Sequence, residues 1–207
     1  MSWIYNMSGD FITCSLKVGA LRVWNASQKT PKSTIKVGAI GIRTFEPFIS
    51  DSNLYVTVFK DGSLGLFNLK KKKVVWNIEA GHSETIFEIR FKPGNSSILA
   101  TGSYDGYIKI WNLNDMKLIT TLSQSVKNKV GNRDDNAMIV YCICWGPDED
   151  TRIASSHANG DIVIWDYKKG KVLSKFRPGG EGPIFRLDWN LLNKEFIVCG
   201  SHEGIWY

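Results

Sequence analysis

The chain repeats itself, and that constrains its fold more than any other feature. Four segments share one plan: Gly19-Ala20-Leu21-Arg22-Val23-Trp24-Asn25, Gly62-Ser63-Leu64-Gly65-Leu66-Phe67-Asn68, Gly106-Tyr107-Ile108-Lys109-Ile110-Trp111-Asn112 and Gly160-Asp161-Ile162-Val163-Ile164-Trp165-Asp166. Each is a turn glycine, an alternating run, an aromatic and then Asn or Asp. The aromatic recurs at 24, 67, 111 and 165, at intervals of 43, 44 and 54. The long interval holds a polar stretch, Ser123 to Asn136, that reads as an insertion. A period of roughly 44 residues means that one supersecondary unit is copied along the chain.

Two further elements recur around each glycine. Upstream lie Ile86-Phe87-Glu88-Ile89-Arg90-Phe91, Val140-Tyr141-Cys142-Ile143-Cys144-Trp145 and Ile184-Phe185-Arg186-Leu187-Asp188-Trp189. Next come Leu99-Ala100-Thr101-Gly102-Ser103, Ile153-Ala154-Ser155-Ser156-His157 and Ile197-Val198-Cys199-Gly200-Ser201. These runs are short, β-branched and aromatic, and bounded by Gly, Pro, Asn or Asp, which makes them strands. A more polar fourth strand follows each aromatic, as in Leu118 to Leu122 and Lys171 to Phe176. No window carries a sustained helical stripe with caps. The expected class is all-β, with four short antiparallel strands per repeat, the spacing of a propeller blade. The repeats run 1–36, 37–80, 81–123, 137–177 and 178–207, with the inserted loop at 123–136.

Composition removes other classes. The 207 residues are 43% hydrophobic and 22% charged, enough for a core without staples. The net charge of +6 comes from interspersed signs and does not by itself imply nucleic acid. No apolar run approaches the roughly 20 residues of a membrane span. The N-terminus lacks the plan of a signal peptide. Cys14, Cys142, Cys144 and Cys199 form no C-x-x-C pair, and His82, His157 and His202 are scattered, so no zinc site is expected. Cys142 and Cys144 would face one side of a strand as reduced, buried thiols. Nucleophile-elbow, metalloprotease, phosphate-loop and dinucleotide motifs are absent, so neither an enzyme nor a cofactor is expected.

The repeat resembles the WD-repeat (WD40) family. Its clearest copy runs from Gly81-His82 through Leu99-Ala100-Thr101-Gly102-Ser103-Tyr104-Asp105-Gly106 to Ile108-Lys109-Ile110-Trp111-Asn112. The resemblance implies a WD40-type β-propeller, with about four and a half blades present and the ring incomplete. It also implies a hydrogen-bonded tetrad mapped onto His82, Ser103, Asp105 and Trp111, a structural device with no catalytic role. At the Ser and Asp positions the first repeat has Leu16 and Val18, the second Phe59 and Asp61, the fourth His157 and Asn159, and the fifth Ser201 and Glu203.

The first repeat begins at its second strand, with Trp3 aligned to the end of a first strand. The fifth has its turn glycine at Gly204 and stops short of its aromatic. Two readings follow, a piece of a larger propeller or a compact five-bladed closure. By resemblance, partners bind at the turns before the third strand and at the loop entering the first. Those turns and that loop hold Lys17, Lys60, Tyr104, Ala158, His202 and Glu84, with Tyr104 the leading candidate. Lys70 to Lys73 reads as a solvated hairpin tip or an anion-docking site, and the insert as a partner loop or disorder. The expected function is a non-catalytic, intracellular, cytoplasmic scaffold that binds proteins or peptides and has no small-molecule substrate. The alternative is a nucleic-acid or chromatin module. That reading is weakened because the aromatics fall at core positions.

Overall fold

A computed structural model describes residues 2–4, 9–48, 51–124, 139–147, 151–179, 182–190, 192–201 and 204. Strands supply all the regular structure among them. The chain divides into two compact units, residues 1–86 and 87–207.

The first unit holds two sheets. Sheet one is β1 (Ser2–Trp3), β2 (Asp10–Cys14), β3 (Ala20–Asn25) and β4 (Ser33–Lys36), and sheet two is β5 (Ile42–Pro47), β6 (Leu54–Phe59), β7 (Leu64–Asn68) and β8 (Lys73–Ile78). The second unit begins within β9 (Ile86–Lys92). Sheet three adds β10 (Asn95–Ser103), β11 (Tyr107–Asn112) and β12 (Lys117–Ser123). Sheet four is β13 (Val140–Trp145), β14 (Arg152–His157), β15 (Ile162–Asp166) and β16 (Lys171–Phe176), and sheet five pairs β17 (Ile184–Trp189) with β18 (Ile197–Ser201). Strands follow chain order across each sheet, and the registers are antiparallel. Four full blades and two strands of a fifth are thus described. Sheet one does not start at its second strand. A stub, β1, pairs Ser2 with Ile12 and Trp3 with Phe11, which is a partial first strand.

Neighbouring sheets stack face to face within each unit, which is why the inner strands are apolar on both sides. In the first unit, Ile12, Leu21, Val23 and Ile35 of sheet one pack on Phe45, Tyr55 and Phe67 of sheet two. In the second, Ala100, Ile108 and Ile110 pack on Ile143, Trp145, Ile153 and Trp165. The far side of sheet four, with Cys142, Cys144, Ala154 and Ile162, packs on Leu187, Trp189 and Cys199 of sheet five. Burial of each Ile or Leu contributes about 1.5–3 kcal/mol. The outer strands meet water, and β16 is exposed along its whole length.

One turn recurs between second and third strands. Gly62, Gly106 and Gly160 have φ of 82°, 83° and 81°, the left-handed region open to glycine. Each donates its N–H to the carbonyl three residues earlier, at 3.1–3.3 Å, and Gly204 (φ 72°) closes the same turn on Ser201. A side chain at Gly62 would also collide with the carbonyl oxygens of His82 and Glu84.

Candidate functional site

First strands carry a β-bulge near their start. Pairing of β13 skips from Val140 to Cys142, that of β17 from Ile184 to Arg186, and that of β5 from Ile42 to Thr44. The extra residue is Tyr141, Phe185 or Arg43, and a bulge turns such a side chain out of the regular alternation. Phe87 holds the equivalent place on β9. In the second unit these aromatics meet. Phe87 and Tyr141 have ring centroids 5.3 Å apart, Tyr141 and Phe185 meet edge-on at 5.0 Å, and Tyr104 from the adjoining turn stands 6.1 Å from Phe87. The strip is open at both ends, with Tyr104 44% and Phe185 49% exposed.

Beneath this layer lies a second one, a single residue further along the same strands. The buried Glu88 carboxylate accepts from Arg90 Nη1 at 2.7 Å and from Arg186 Nη1 at 2.5 Å. Cys142 Sγ lies 3.9 Å from Glu88 Oε2 and accepts the Leu187 N–H at 3.3 Å. One carboxylate therefore ties the first strands of sheets three and five across that of sheet four. Burial and the neighbouring Glu88 charge push the Cys142 thiol up to about 11, so it stays protonated at neutral pH. Among the described residues, no cluster of three or more His, Cys, Asp or Glu could hold a metal ion. No described helix is long and apolar enough to cross a membrane.

The indole bond of the expected tetrad falls on a different hydroxyl. Trp111 Nε1 donates to Thr101 Oγ1 at 3.0 Å, and not to Ser103. Register gives the reason. Trp111 lies opposite Leu99, so Thr101 is the nearest hydroxyl on that face, and Ser103 is two residues further along the strand. The pattern recurs. Trp24 Nε1 donates to Thr13 Oγ1 at 2.9 Å, and Trp165 Nε1 to Ser155 Oγ at 2.8 Å. In sheet two, where Phe67 replaces the indole, Thr57 Oγ1 donates to the Gly65 carbonyl instead, at 3.1 Å. Ser103 has another task, since its Oγ accepts the Asp105 N–H at 3.1 Å, while Asp105 Oδ1 accepts the Tyr107 N–H at 3.0 Å. His82 is buried. Sheet four builds its own chain, with His157 Nε2 2.9 Å from Ser155 Oγ.

The repeat, its four-stranded sheets and the indole–hydroxyl pairs agree with a family comparison. The profile of the WD40 family, described as "WD domain, G-beta repeat", matches residues 73–112 and 123–166. Two of the repeats thus match WD40 repeats. Among curated relatives, nuclear distribution protein PAC1 of Komagataella phaffii is 27% identical over 81% of the chain and 32% of its own length. Human GATOR2 complex protein WDR24 is 22% identical over 74% of the chain and 18% of its own length. Protein transport protein sec31 of Aspergillus terreus is 25% identical over 93% of the chain and 16% of its own length. The chain thus spans less than a third of each of these relatives.

The repeat also shows where the other expected partner residues lie. In the first unit, Lys17, Lys60 and Glu84 are exposed. Their turns are joined: Ser15 O accepts from the Ile42 N–H, Gly41 O from the Lys60 N–H, and Lys60 O from Thr85 Oγ1 at 2.7 Å. Tyr104 belongs to the second unit with the aromatic strip. Ala158 is half-buried in its turn, and His202 lies outside the described residues, as do positions 125–138 of the insert. Lys70 to Lys73 is an exposed hairpin tip, with Lys72 at φ 54°. Phe87, Tyr141 and Phe185 escape a reading that places aromatics in the core. Their signal is an aromatic recurring directly after the first apolar residue of each of these strands.

Proposed function

We propose that this chain is a non-catalytic scaffold that binds an apolar or aromatic peptide segment of another protein along the strip Tyr104–Phe87–Tyr141–Phe185. The single observation that carries the reading is the strip itself. Four aromatic rings in consecutive contact stay partly exposed, with Tyr141 and Phe185 set by bulges and the layer beneath fixed by the Glu88 ion pairs. Rigid aromatics offer large contact area at low entropic cost and dominate protein interfaces. The names of the relatives support an assembly role, since WDR24 is printed as a GATOR2 complex protein. Lys17, Lys60 and Glu84 of the first unit, and separately His202, are further polar candidates for partner binding. Repeat boundaries at 1–36, 37–80, 81–123, 137–177 and 178–207 are part of this proposal, as is a cytoplasmic location, which the buried and half-buried thiols favour.

Selection of a displayed peptide library on the purified chain tests this. Enriched peptides should carry apolar or aromatic anchors, and Phe185→Ser or Tyr104→Ser should weaken them by about tenfold or more. Peptide binding indifferent to both substitutions would overturn the assignment. So would tight binding to RNA or DNA with a steep salt dependence, which belongs to phosphate recognition.

A further inference from the structure

A cleft of about 640 Å³ opens in the first unit, between the linker that joins β4 to β5 and strand β8. Its apolar wall is made by Val37 and Ile40 of the linker, Phe59 at the end of β6 and Trp76 of β8. The linker is pinned. Val37 and Gly38 donate their N–H groups to the Gly19 carbonyl at 2.7 and 3.1 Å, and a Cβ on Gly19 would meet the Ile40 carbonyl oxygen. Ile40 is therefore held in place although it is 43% exposed. Trp76 is half-buried, and its indole stands apart from the others. Trp24, Trp111, Trp145, Trp165 and Trp189 each donate Nε1–H to an oxygen at 2.8–3.0 Å. Trp76 has no such acceptor among the described residues. Two carboxylates stand at the same cleft. Asp61 Oδ1 accepts the Ser63 N–H at 3.0 Å and the Ser63 hydroxyl at 2.6 Å, which leaves Oδ2 without a donor. Glu79 has no hydrogen bond or ion pair among the described residues. Asp10, Glu88, Asp161 and Asp166, by contrast, each face a Lys or Arg of this chain.

We infer that this cleft takes an arginine side chain of a partner peptide. The guanidinium would sit between Asp61 and Glu79, and its methylene stem would lie along Val37, Ile40 and Phe59. A carbonyl of the peptide would receive the Trp76 N–H. Each group that lacks a partner in the cleft then has one. Charge decides the class of occupant. The chain as a whole carries +6, which repels a cationic peptide, so only a local excess of carboxylate can seat one. Arginine suits the site better than lysine, because its planar fork serves two carboxylates at once and stacks on an indole face. A volume of about 640 Å³ exceeds one side chain and admits the flanking peptide backbone as well. The cleft belongs to the first unit and the aromatic strip to the second, and neither reading rests on the other.

Titration of the isotope-labelled chain with the end-capped pentapeptide Gly-Gly-Arg-Gly-Gly, read by NMR, is the test. The Trp76 indole N–H signal, assigned by its loss in Trp76→Phe, should move and saturate. The same peptide with citrulline keeps the shape and loses the charge, and should bind about tenfold more weakly or worse. Asp61→Asn and Glu79→Gln should each weaken the arginine peptide by about tenfold. Asp115→Asn, which removes an exposed carboxylate of the second unit, should leave binding unchanged. Asp61 and Glu79 are exposed, and an Asn at 61 can keep the Ser63 bonds, so both variants should fold, which circular dichroism identical to the parent verifies. Phe185→Ser should also leave this titration unchanged, so failure of the aromatic strip and failure of the cleft are scored separately. A Trp76 signal that stays put up to ~10 mM peptide would overturn the inference. So would equal binding of the citrulline peptide, or a loss in Asp115→Asn as large as in the cleft variants.

Discussion

Trp24, Trp111 and Trp165 each hand their indole N–H to a hydroxyl on the neighbouring strand, at positions 13, 101 and 155. A buried indole without an acceptor carries the desolvation penalty of its N–H, about 1–3 kcal/mol. Thr101→Val keeps the shape and removes the acceptor. It should lower stability by about that amount in urea titration and shift the Trp111 indole N–H resonance. Ser103→Ala should leave that resonance in place, which separates the two hydroxyls. The hydroxyl position was legible in the sequence as a Thr or Ser recurring at 13, 57, 101 and 155. It was missed because counting back from the turn glycine favours Ser103, whereas strand register, which a sequence does not display, favours Thr101. Phe87, Tyr141 and Phe185 were hidden for a related reason. Strict alternation describes an ideal strand, and a bulge breaks it at Tyr141 and Phe185.

Turns and outer strands decide how well each sheet holds. Gly62→Ala forces a left-handed backbone on a side chain and drives it into the His82 and Glu84 carbonyl oxygens, so a loss of at least ~2 kcal/mol is expected by chemical unfolding. Gly170 also has positive φ (64°), but nothing lies within 4 Å of an added Cβ, and Gly170→Ala should cost only about 1 kcal/mol. Asp161 fastens the outer strand of sheet four. Burial works against its charge, yet Lys175 at 2.7 Å, Arg177 at 3.0 Å and Asn159 hold its carboxyl below the usual carboxylate range. Asp10 is held low in sheet one by hydrogen bonds from Lys32 and Asn25. A depressed folded-state value gives stability that is present above about pH 4 and lost as pH falls through the folded value. Acid titration of the unfolding midpoint should show that loss, and Asp161→Asn should flatten the curve while lowering its neutral plateau.

At the scale of the whole molecule, the repeat makes the fold readable. Period, turn glycines and strand runs located every full sheet, because each copy confirms the others. The first sheet was the exception, since a two-residue stub is too short to register as a strand. Thiol chemistry offers a global readout. Cys142, Cys144 and Cys199 are buried between sheets, and Cys14 is half-buried. Burial raises the thiols of Cys14, Cys142 and Cys144 alike. A thiol-reactive disulfide reagent at pH 8 should label the native chain slowly and chiefly at Cys14, and all four cysteines at once in denaturant. Fast native labelling of Cys142 would contradict the packing described.

Val198 of sheet five stands half in water where Ala100 and Ala154, at the equivalent place on sheets three and four, are enclosed, and that imbalance sets an order of events. In a stack of repeats, cohesion passes from neighbour to neighbour, and a terminal member is supported from one side only. Within the second unit, fraying should therefore start at sheet five and advance inward. Amide hydrogen exchange should be fastest in β18, slower in β14 and slowest in β10. A partner that covers the Val198 face would slow exchange there first, so the kinetics of β18 report whether that face is occupied.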